Sequence, residues 1–201
     1  MTATDIDAHK RMVEKRNAGY EKKQAKATVE KGLLIVITGP GKGKTTSALG
    51  MGLRAISHGM KLGVVQFIKG AKATGERDLL QKFPSVDWFT IGDGFTWITQ
   101  DRERDVATAQ RAWNQAKALI QDPSYEMVIL DELNTILRYA YLDVSEVIAC
   151  VGSRHPMQHV IITGRNAPAS LIEAADLVSE IHPVKHPYKD QGVKAQRGIE
   201  F

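Results

Sequence analysis

The chain alternates short apolar runs with segments in which apolar residues recur every three or four positions. The apolar runs are typical of buried β-strands and read LLIVIT, LGVVQFI, VDWFTI, EMVILDE, HVIITGR and LVSEI. The segments between them predict helices near 44–58, 76–82, 101–121, 143–153 and 168–175. The third of these has an apolar face formed by Val106, Ala109, Trp113, Ala116 and Ile120. This alternation predicts an α/β fold, with a mostly parallel sheet of about six strands and helices on both of its faces.

The first 30 residues have a different composition from the rest of the chain. Eight Lys/Arg and five Asp/Glu occur up to residue 31, with only scattered apolar residues between them. This pattern predicts a charged helical arm over residues 1–30, followed by one domain over residues 31–201. Residues 1–31 account for three of the four net positive charges of the chain. The domain is therefore nearly neutral, which disfavours a broad nucleic-acid-binding surface.

Composition narrows the cellular setting. No apolar run reaches the length of about eighteen residues that a membrane span needs, and the N-terminus has no apolar signal-peptide core. The single cysteine, Cys150, cannot form an internal disulfide, and it falls in the helix-like segment DVSEVIAC. A buried thiol is more typical of that setting than a nucleophile. We therefore expect a cytoplasmic protein without a membrane partner.

Three closely spaced glycines follow the first apolar run, in the stretch GLLIVITGPGKGKTTSALG. Glycine lets the backbone turn its N–H groups inward around an anion, and the start of the following helix adds partial positive charge. Lys44 supplies a full charge, and the hydroxyl of Thr45 can bind Mg²⁺. This arrangement predicts a P-loop for a nucleoside triphosphate. The expected nucleotide contacts are Gly39, Pro40, Gly41, Lys42, Gly43, Lys44, Thr45 and Thr46.

The loop departs from the usual P-loop spacing in one place. In the usual motif four residues separate the first glycine from the Gly-Lys pair. Here that first position is Thr38, and Gly39 comes one residue later. A P-loop also needs a carboxylate for its metal, and Asp131 and Glu132 follow the apolar run MVIL. We place the metal on Thr45 and Glu132. Spacing alone leaves open whether Asp131 or Glu132 holds it, because the two side chains point to opposite faces of a continuing strand.

Further segments resemble the P-loop type of ATP:corrinoid adenosyltransferase. The resemblance covers about residues 32–201 and rests on TGPGKGKTTSALG, GVVQFIKG, GERDLL, GFTWITQDRE, MVILDELN, VIITGR and VKHPYKDQGVKAQRGIEF. It implies a RecA-like P-loop fold and a homodimer. It also implies cob(I)yrinic acid a,c-diamide adenosyltransferase activity, in which Co(I) of a corrinoid attacks the 5′ carbon of ATP and triphosphate leaves. The substrates would be ATP and a corrinoid, with Mg²⁺ as the metal and an electron-donating, flavodoxin-like reductase as a partner.

The resemblance also implies which residues act. No enzyme nucleophile or general base is needed, because Co(I) is itself a strong nucleophile, and Lys44 would stabilise charge on the departing triphosphate. Phe95 and Trp97, in the segment GFTW, would occupy the space below the corrin and enforce a four-coordinate cobalt; core packing is the alternative for both. The natural substrate stays open between complete cobalamin and a precursor such as cobinamide.

The sequence also offers several weaker candidate site residues and two rival functions. Further cations that could contact phosphates or corrin side groups are Lys42, Lys69, Arg165 and Lys194. His182 and His186 have metal-ligand spacing, but Pro183 between them favours a turn. Arg138 and Tyr139, on the helix after DEL, are expected to be structural. The rivals are a small-molecule kinase, which needs an Arg-rich lid, and a RecA-like DNA-binding ATPase, which needs a basic surface.

Overall fold

The computed structural model describes residues 3–68, 75–91 and 101–200. Its residue contacts divide the chain into two units, Met1–Lys31 and Gly32–Phe201, which are described separately below. In the described ranges the helices are α1 (Ala3–Gln24), α2 (Lys44–Ser57), α3 (Gly75–Leu80), α4 (Arg102–Gln121), α5 (Leu133–Arg138), α6 (Val144–Gly152), α7 (Ala169–Ala174) and α8 (Pro187–Gln191). The strands are β1 (Leu34–Thr38), β2 (Leu62–Gln66), β3 (Val86–Thr90), β4 (Met127–Asp131), β5 (His159–Thr163) and β6 (Leu177–Glu180).

The first unit contains a single long helix, α1, which has 22 residues. Those of its polar and charged side chains that the structure describes are exposed, and so are two large apolar side chains, Met12 and Tyr20. The helical form of the charged arm is therefore confirmed. No helix in the described part of the chain is both long and apolar enough to cross a membrane.

The second unit is built on one sheet of six strands in the order β3-β2-β4-β5-β1-β6, and every neighbouring pair is parallel. Because all strands run the same way, their carboxyl ends meet at one edge of the sheet. The predicted fold class is thereby confirmed. In an open parallel sheet this edge is where ligands bind.

Helices bury both faces of the sheet, as predicted. One face packs against α4, with Trp113 fully buried at its centre and its indole Nε1 donating to Glu146 Oε1 at 2.7 Å. The other face packs against α2 and α3 through residues that include Ala48 and Leu80. The predicted apolar face of α4 is buried except at Val106, which is half-buried.

The edge strand β6 differs from the apolar pattern predicted for the whole sheet. All four of its residues are exposed, although Leu177 and Val178 are apolar. An edge strand has a neighbour on one side only, so an apolar sequence there does not guarantee burial. The helix expected after DEL is present as α5, whereas α8 was not predicted, because its five residues are too few to show a helical period.

Candidate active site

The glycine loop connects β1 to α2 at the carboxyl edge of the sheet and packs against the end of β6. Gly39 and Gly43 adopt positive φ angles of 100° and 104°, a region that side chains other than glycine rarely enter. A Cβ on Gly39 would lie 2.5 Å from the carbonyl oxygen of Ile181, and one on Gly41 would lie 2.7 Å from it. Gly41 N–H donates to that same oxygen at 2.7 Å. The backbone of the loop therefore needs glycine for its dihedral angles and for close packing.

The shifted glycine spacing has a structural reason at Thr38. This residue ends β1 and is buried; its hydroxyl accepts a hydrogen bond from Ala167 N–H at 3.1 Å, and its carbonyl accepts one from Ile181 N–H at 2.9 Å. Thr38 therefore still belongs to the sheet, and the turn begins at Gly39. The turn therefore starts one residue later than the usual spacing would place it, and the loop enters α2 at Lys44.

Lys44, the first residue of α2, folds back over the loop. Its Nζ donates to the carbonyl oxygen of Gly41 at 2.6 Å, and only 6% of the residue is exposed. Burial lowers the pKa of Lys44, and the nearby carboxylates Glu132 and Asp131 oppose that shift. A buried cation held at a helix N-terminus, where the backbone N–H groups are also unpaired, is suited to receive phosphate oxygens.

The two carboxylates after β4 occupy different environments. Asp131 is buried, and its Oδ1 accepts from the hydroxyls of Thr45 at 2.8 Å and Thr163 at 2.7 Å. Its Oδ2 accepts from Gln66 Nε2 at 3.2 Å. Three donors therefore hold the Asp131 carboxylate in one orientation and join it to the P-loop.

Glu132 leaves the strand immediately and adopts a left-handed backbone, with φ of 63°, at the N-cap of α5. Its Oε2 accepts from the Thr135 hydroxyl at 2.5 Å, and its N–H donates to Thr163 Oγ1 at 3.0 Å. Burial, with the neighbouring Asp131 charge adding to it, raises the pKa of Glu132, while the Thr135 hydrogen bond and the Lys44 and Arg165 charges oppose the shift. Backbone strain at a non-glycine residue is frequently associated with function.

The remaining loop residues lie around this centre. Thr46 is exposed at the start of α2 and Pro40 is exposed at the crest of the loop. Lys42 pairs with Glu200 near the chain terminus, with Nζ 2.5 Å from Oε2. Arg165 is close enough for its charge to lower the pKa of Lys44, so the structure brings it to the site.

For four other predicted candidates the structure describes no contact with the P-loop or with the two carboxylates. Phe95, Trp97 and Lys69 lie outside the described residues. Lys194 has a local contact, in which its carbonyl accepts from Gln196 Nε2 at 2.9 Å.

The remaining side chains named in the sequence analysis lie in environments that indicate structural roles. His182 lies near Glu180, and His186 caps α8; the residues between the two histidines are not helical, as Pro183 indicated. Burial raises the pKa of the Cys150 thiol, which disfavours the thiolate that a nucleophile needs. Arg138 stacks over the ring of Tyr139, with 5.5 Å from the guanidinium carbon to the ring centroid, as expected for structural residues.

The motif search missed two polar residues at the carboxyl ends of strands. Gln66 ends β2 and Thr163 ends β5, and both contact Asp131. The sequence did indicate both residues, since each is the polar residue that ends a largely apolar strand. In a parallel sheet such residues reach the ligand edge.

These features define a P-loop protein of the RecA-like fold: a parallel α/β sheet, a glycine loop entering a helix at Lys44, and an acidic pair at the carboxyl end of a strand of the same sheet. A family model for the ATP:corrinoid adenosyltransferases BtuR/CobO/CobP matches residues 30–201. The chain belongs to that family.

Several curated relatives support the assignment. A corrinoid adenosyltransferase of a Sinorhizobium species is 55% identical over 200 residues, covering 98% of this chain and 93% of the relative. Corrinoid adenosyltransferases of Pseudomonas aeruginosa and Escherichia coli K12 are 50% and 49% identical, covering 96% and 88% of this chain and 95% and 89% of theirs. Among solved structures, the flagellar accessory protein FlaH of Methanocaldococcus jannaschii is 12% identical, with a TM-score of 0.48, and covers 79% of this chain and 74% of its own.

Proposed function

We propose that the protein transfers the 5′-deoxyadenosyl group of ATP to the Co(I) centre of a corrinoid and releases triphosphate. The observation that carries the proposal is the buried Lys44, which follows the glycine loop as the first residue of α2 and lies beside the Asp131–Thr45 contact. The chain that contains it belongs to the corrinoid adenosyltransferase family. A loop of this kind binds the triphosphate of a nucleotide. The family supplies the second substrate, the corrinoid.

The reaction needs little acid–base chemistry from the protein. A cobalt electron pair attacks C5′, the Co–C bond forms, and the C5′–O5′ bond breaks with its electron pair leaving on the triphosphate. Cobalt changes formally from Co(I) to Co(III), and no proton is transferred. The protein orients the ATP and stabilises the charge that collects on the leaving group, which is the part we assign to Lys44 and the loop N–H groups.

The acidic side of the loop fits a magnesium ion. Thr45 Oγ1 and the carboxylates of Asp131 and Glu132 are hard oxygen donors of the kind that Mg²⁺ binds. Asp131 already accepts three hydrogen bonds, so we assign Thr45 and Glu132 as the metal ligands and Asp131 as the residue that orients the Thr45 hydroxyl. When bound, the ion would neutralise charge on the triphosphate oxygens.

The corrinoid side of the proposal involves Phe95 and Trp97. We propose that they displace the lower axial ligand, leaving a four-coordinate Co(II) that is easier to reduce. Replacing either with Ala should abolish activity when Co(II)-corrinoid is supplied with a mild reductant, and much of that activity should return with chemically reduced Co(I). Equal loss in both assays, together with a lower melting temperature, would assign the residues to core packing, for which truncation costs about 3–5 kcal/mol.

The finer parts of the proposal follow the family. We propose cob(I)yrinic acid a,c-diamide adenosyltransferase activity in the cytoplasm, a homodimer, and reduction of the cobalt by a flavodoxin-like electron donor. Comparing kcat/KM for reduced cobalamin, cobinamide and the a,c-diamide would identify the preferred corrinoid.

Phosphorus product analysis tests the reaction type. With ATP, Mg²⁺ and a Co(I) corrinoid, the expected phosphate product is triphosphate. Formation of ADP in its place would indicate a kinase or an ATPase and would reject adenosyl transfer.

A further inference from the structure

One buried hydroxyl, that of Thr163, contacts both residues of the acidic pair. Thr163 is the last residue of β5 and is fully buried. Its Oγ1 donates to Asp131 Oδ1 at 2.7 Å and accepts from Glu132 N–H at 3.0 Å. The same Asp131 oxygen accepts from Thr45 Oγ1 at 2.8 Å. A single hydroxyl is therefore bonded to the carboxylate that contacts the P-loop and to the backbone of Glu132.

Strand order gives this hydroxyl a rigid support. In the sheet β5 lies between β4, which ends at Asp131, and β1, which leads into the glycine loop. Leu130 of β4 and Ile162 of β5 are register partners, so Asp131 and Thr163 each come one residue later, at the same edge of the sheet. On its other side Thr163 is the register partner of Ile37 on β1. A group built on central strands holds its neighbours more precisely than one on a loop.

The chemistry of the partners determines the direction of both bonds. The backbone N–H of Glu132 can only donate, and an ionised Asp131 carboxylate can only accept. The Thr163 hydroxyl has one proton, which must therefore point to Asp131 while an oxygen lone pair faces Glu132. A valine at this position would have nearly the same shape but would remove both bonds and leave the Glu132 N–H without this partner.

The turn that follows β5 supports the left-handed turn at Glu132 from the same side. Gly164 has a φ angle of 127°, and a Cβ on it would lie 2.9 Å from Asn134 Cβ, so the two turns are in close contact. The carbonyl of Gly164 accepts from Asn134 Nδ2 at 3.4 Å, and Arg165 N–H donates to Thr135 Oγ1 at 3.5 Å. The Thr135 hydroxyl in turn donates to Glu132 Oε2. Both the backbone and the side chain of Glu132 are thus held from the end of β5.

We propose that Thr163 is a positioning residue that sets the placement of the two magnesium ligands, Thr45 and Glu132, relative to one another. It acts on Thr45 through Asp131 and on Glu132 through the backbone N–H. The inference rests on the proposed function, since that function assigns the metal to Thr45 and Glu132 and the triphosphate to the P-loop. Residues that hold metal ligands without touching the metal typically change metal affinity by about 10–100-fold when they are altered.

Binding of ATP without corrinoid measures this role without turnover. The dissociation constant of ATP is obtained by calorimetry in Mg²⁺ and again in EDTA, and the ratio of the EDTA value to the Mg²⁺ value is the contribution of the metal. We expect a wild-type ratio of at least about 10, and a ratio at least about 5-fold lower in Thr163→Val. The constant in EDTA should change by less than about 3-fold, because Lys44 and the loop N–H groups are left in place.

Thr163→Ser and Thr163→Ala form a pair that differs in the hydroxyl alone. The serine variant should keep the ratio within about 2-fold of wild type, whereas the alanine variant should lower it as Thr163→Val does. A purely structural role would lower the melting temperature of these variants without distinguishing ATP binding in Mg²⁺ from binding in EDTA. If Thr163→Val does not fold, the serine and alanine variants decide the question.

Thr38→Val is the matched control. It removes a buried hydroxyl from the end of the neighbouring strand β1, where that hydroxyl accepts from the N–H of Ala167, in the loop after β5, at 3.1 Å. The melting temperature of this variant should fall, because the Ala167 N–H loses its partner, but the ratio should stay within about 2-fold of wild type.

Four results would overturn the role of Thr163. These are a wild-type ratio below about 5, a wild-type-like ratio in Thr163→Val, a serine variant as impaired as the alanine variant, and an equal loss in Thr38→Val. Adenosyl transfer to Co(I) by the wild-type protein would leave the proposed function standing in each of these cases. Its absence would reject the proposed function whatever the ratios are.

Discussion

Replacement of Lys44 by Ala should separate catalysis from stability. The amine makes a hydrogen bond of 2.6 Å to Gly41 O, and a bond to a charged donor is worth roughly 1.5–3 kcal/mol. Burial disfavours the charged amine, which is why its pKa is lowered, and truncation relieves that cost. The two effects oppose each other, so the melting temperature should move by less than about 4 °C, the change that about 1 kcal/mol produces in a domain of this size.

The expected effect of the same change on turnover is much larger. Losing a charge-assisted contact to the departing triphosphate costs roughly 3 kcal/mol of transition-state stabilisation, about 100-fold in rate. The assay is the steady-state rate of adenosyl transfer at saturating ATP with pre-reduced corrinoid, measured beside a thermal melt.

Lys42→Ala is the control for this prediction. It removes the same charge from the same loop, but at an exposed position paired with Glu200. We expect its rate to fall by less than about 10-fold, because an exposed charge is screened by water. A Lys44→Ala rate within a few-fold of wild type would refute the P-loop role, and a parallel loss of rate and melting temperature would make Lys44 a structural residue.

Three further predictions address the metal, the arm and pH. Glu132→Gln should raise the Mg²⁺ concentration needed for half-maximal activity by at least about 10-fold, and an unchanged titration would move the ligand role to Asp131. Deleting residues 1–30, which we propose form a lid that orders on binding, should keep the fold but weaken corrinoid binding or speed oxidation of Co(I); equal affinity and activity would favour a solvated tail. Burial, helped by the nearby Arg154 charge, lowers the pKa of His159, whose Nδ1 accepts from Leu33 N–H at 3.1 Å. Its contribution to stability is therefore complete above the ordinary imidazole pKa of about 6.5 and is lost as pH falls from there through the lowered pKa of the folded state. His159→Asn, which keeps an acceptor that does not titrate, should therefore reduce the loss of unfolding free energy between about pH 7 and pH 5; identical pH profiles in urea unfolding would contradict this account.

Local features of the fold were predictable from the sequence because their causes are local. The β1–loop–α2 unit follows from an apolar run, glycines at short spacing and a helical period, and all three are visible within residues 32–58. The buried face of α4 follows from its apolar spacing in the same way. The exposed edge strand β6 was not distinguishable, because its apolar residues look like those of a central strand and strand order is a property of the whole sheet.

The arrangement of the site depended on contacts between distant parts of the chain. Thr45 and Asp131 are 86 positions apart, and Gln66 and Asp131 are 65 apart. Motif spacing placed Asp131 near the loop but could not decide between it and Glu132, because the left-handed turn at Glu132 ends the strand and changes the direction of that side chain. The contact between Gln66 and Asp131 requires β2 and β4 to be neighbours in the sheet, which periodicity does not reveal.

The central claim is tested most directly by following the corrin spectrum of cob(I)alamin in the presence of the protein, ATP and Mg²⁺ under anaerobic conditions. The account predicts that the Co(I) spectrum is replaced by that of an adenosylated corrinoid, with about one triphosphate released per corrin and no change when ATP is omitted. Persistence of the Co(I) spectrum with intact ATP, or consumption of ATP to ADP without a change at cobalt, would contradict it.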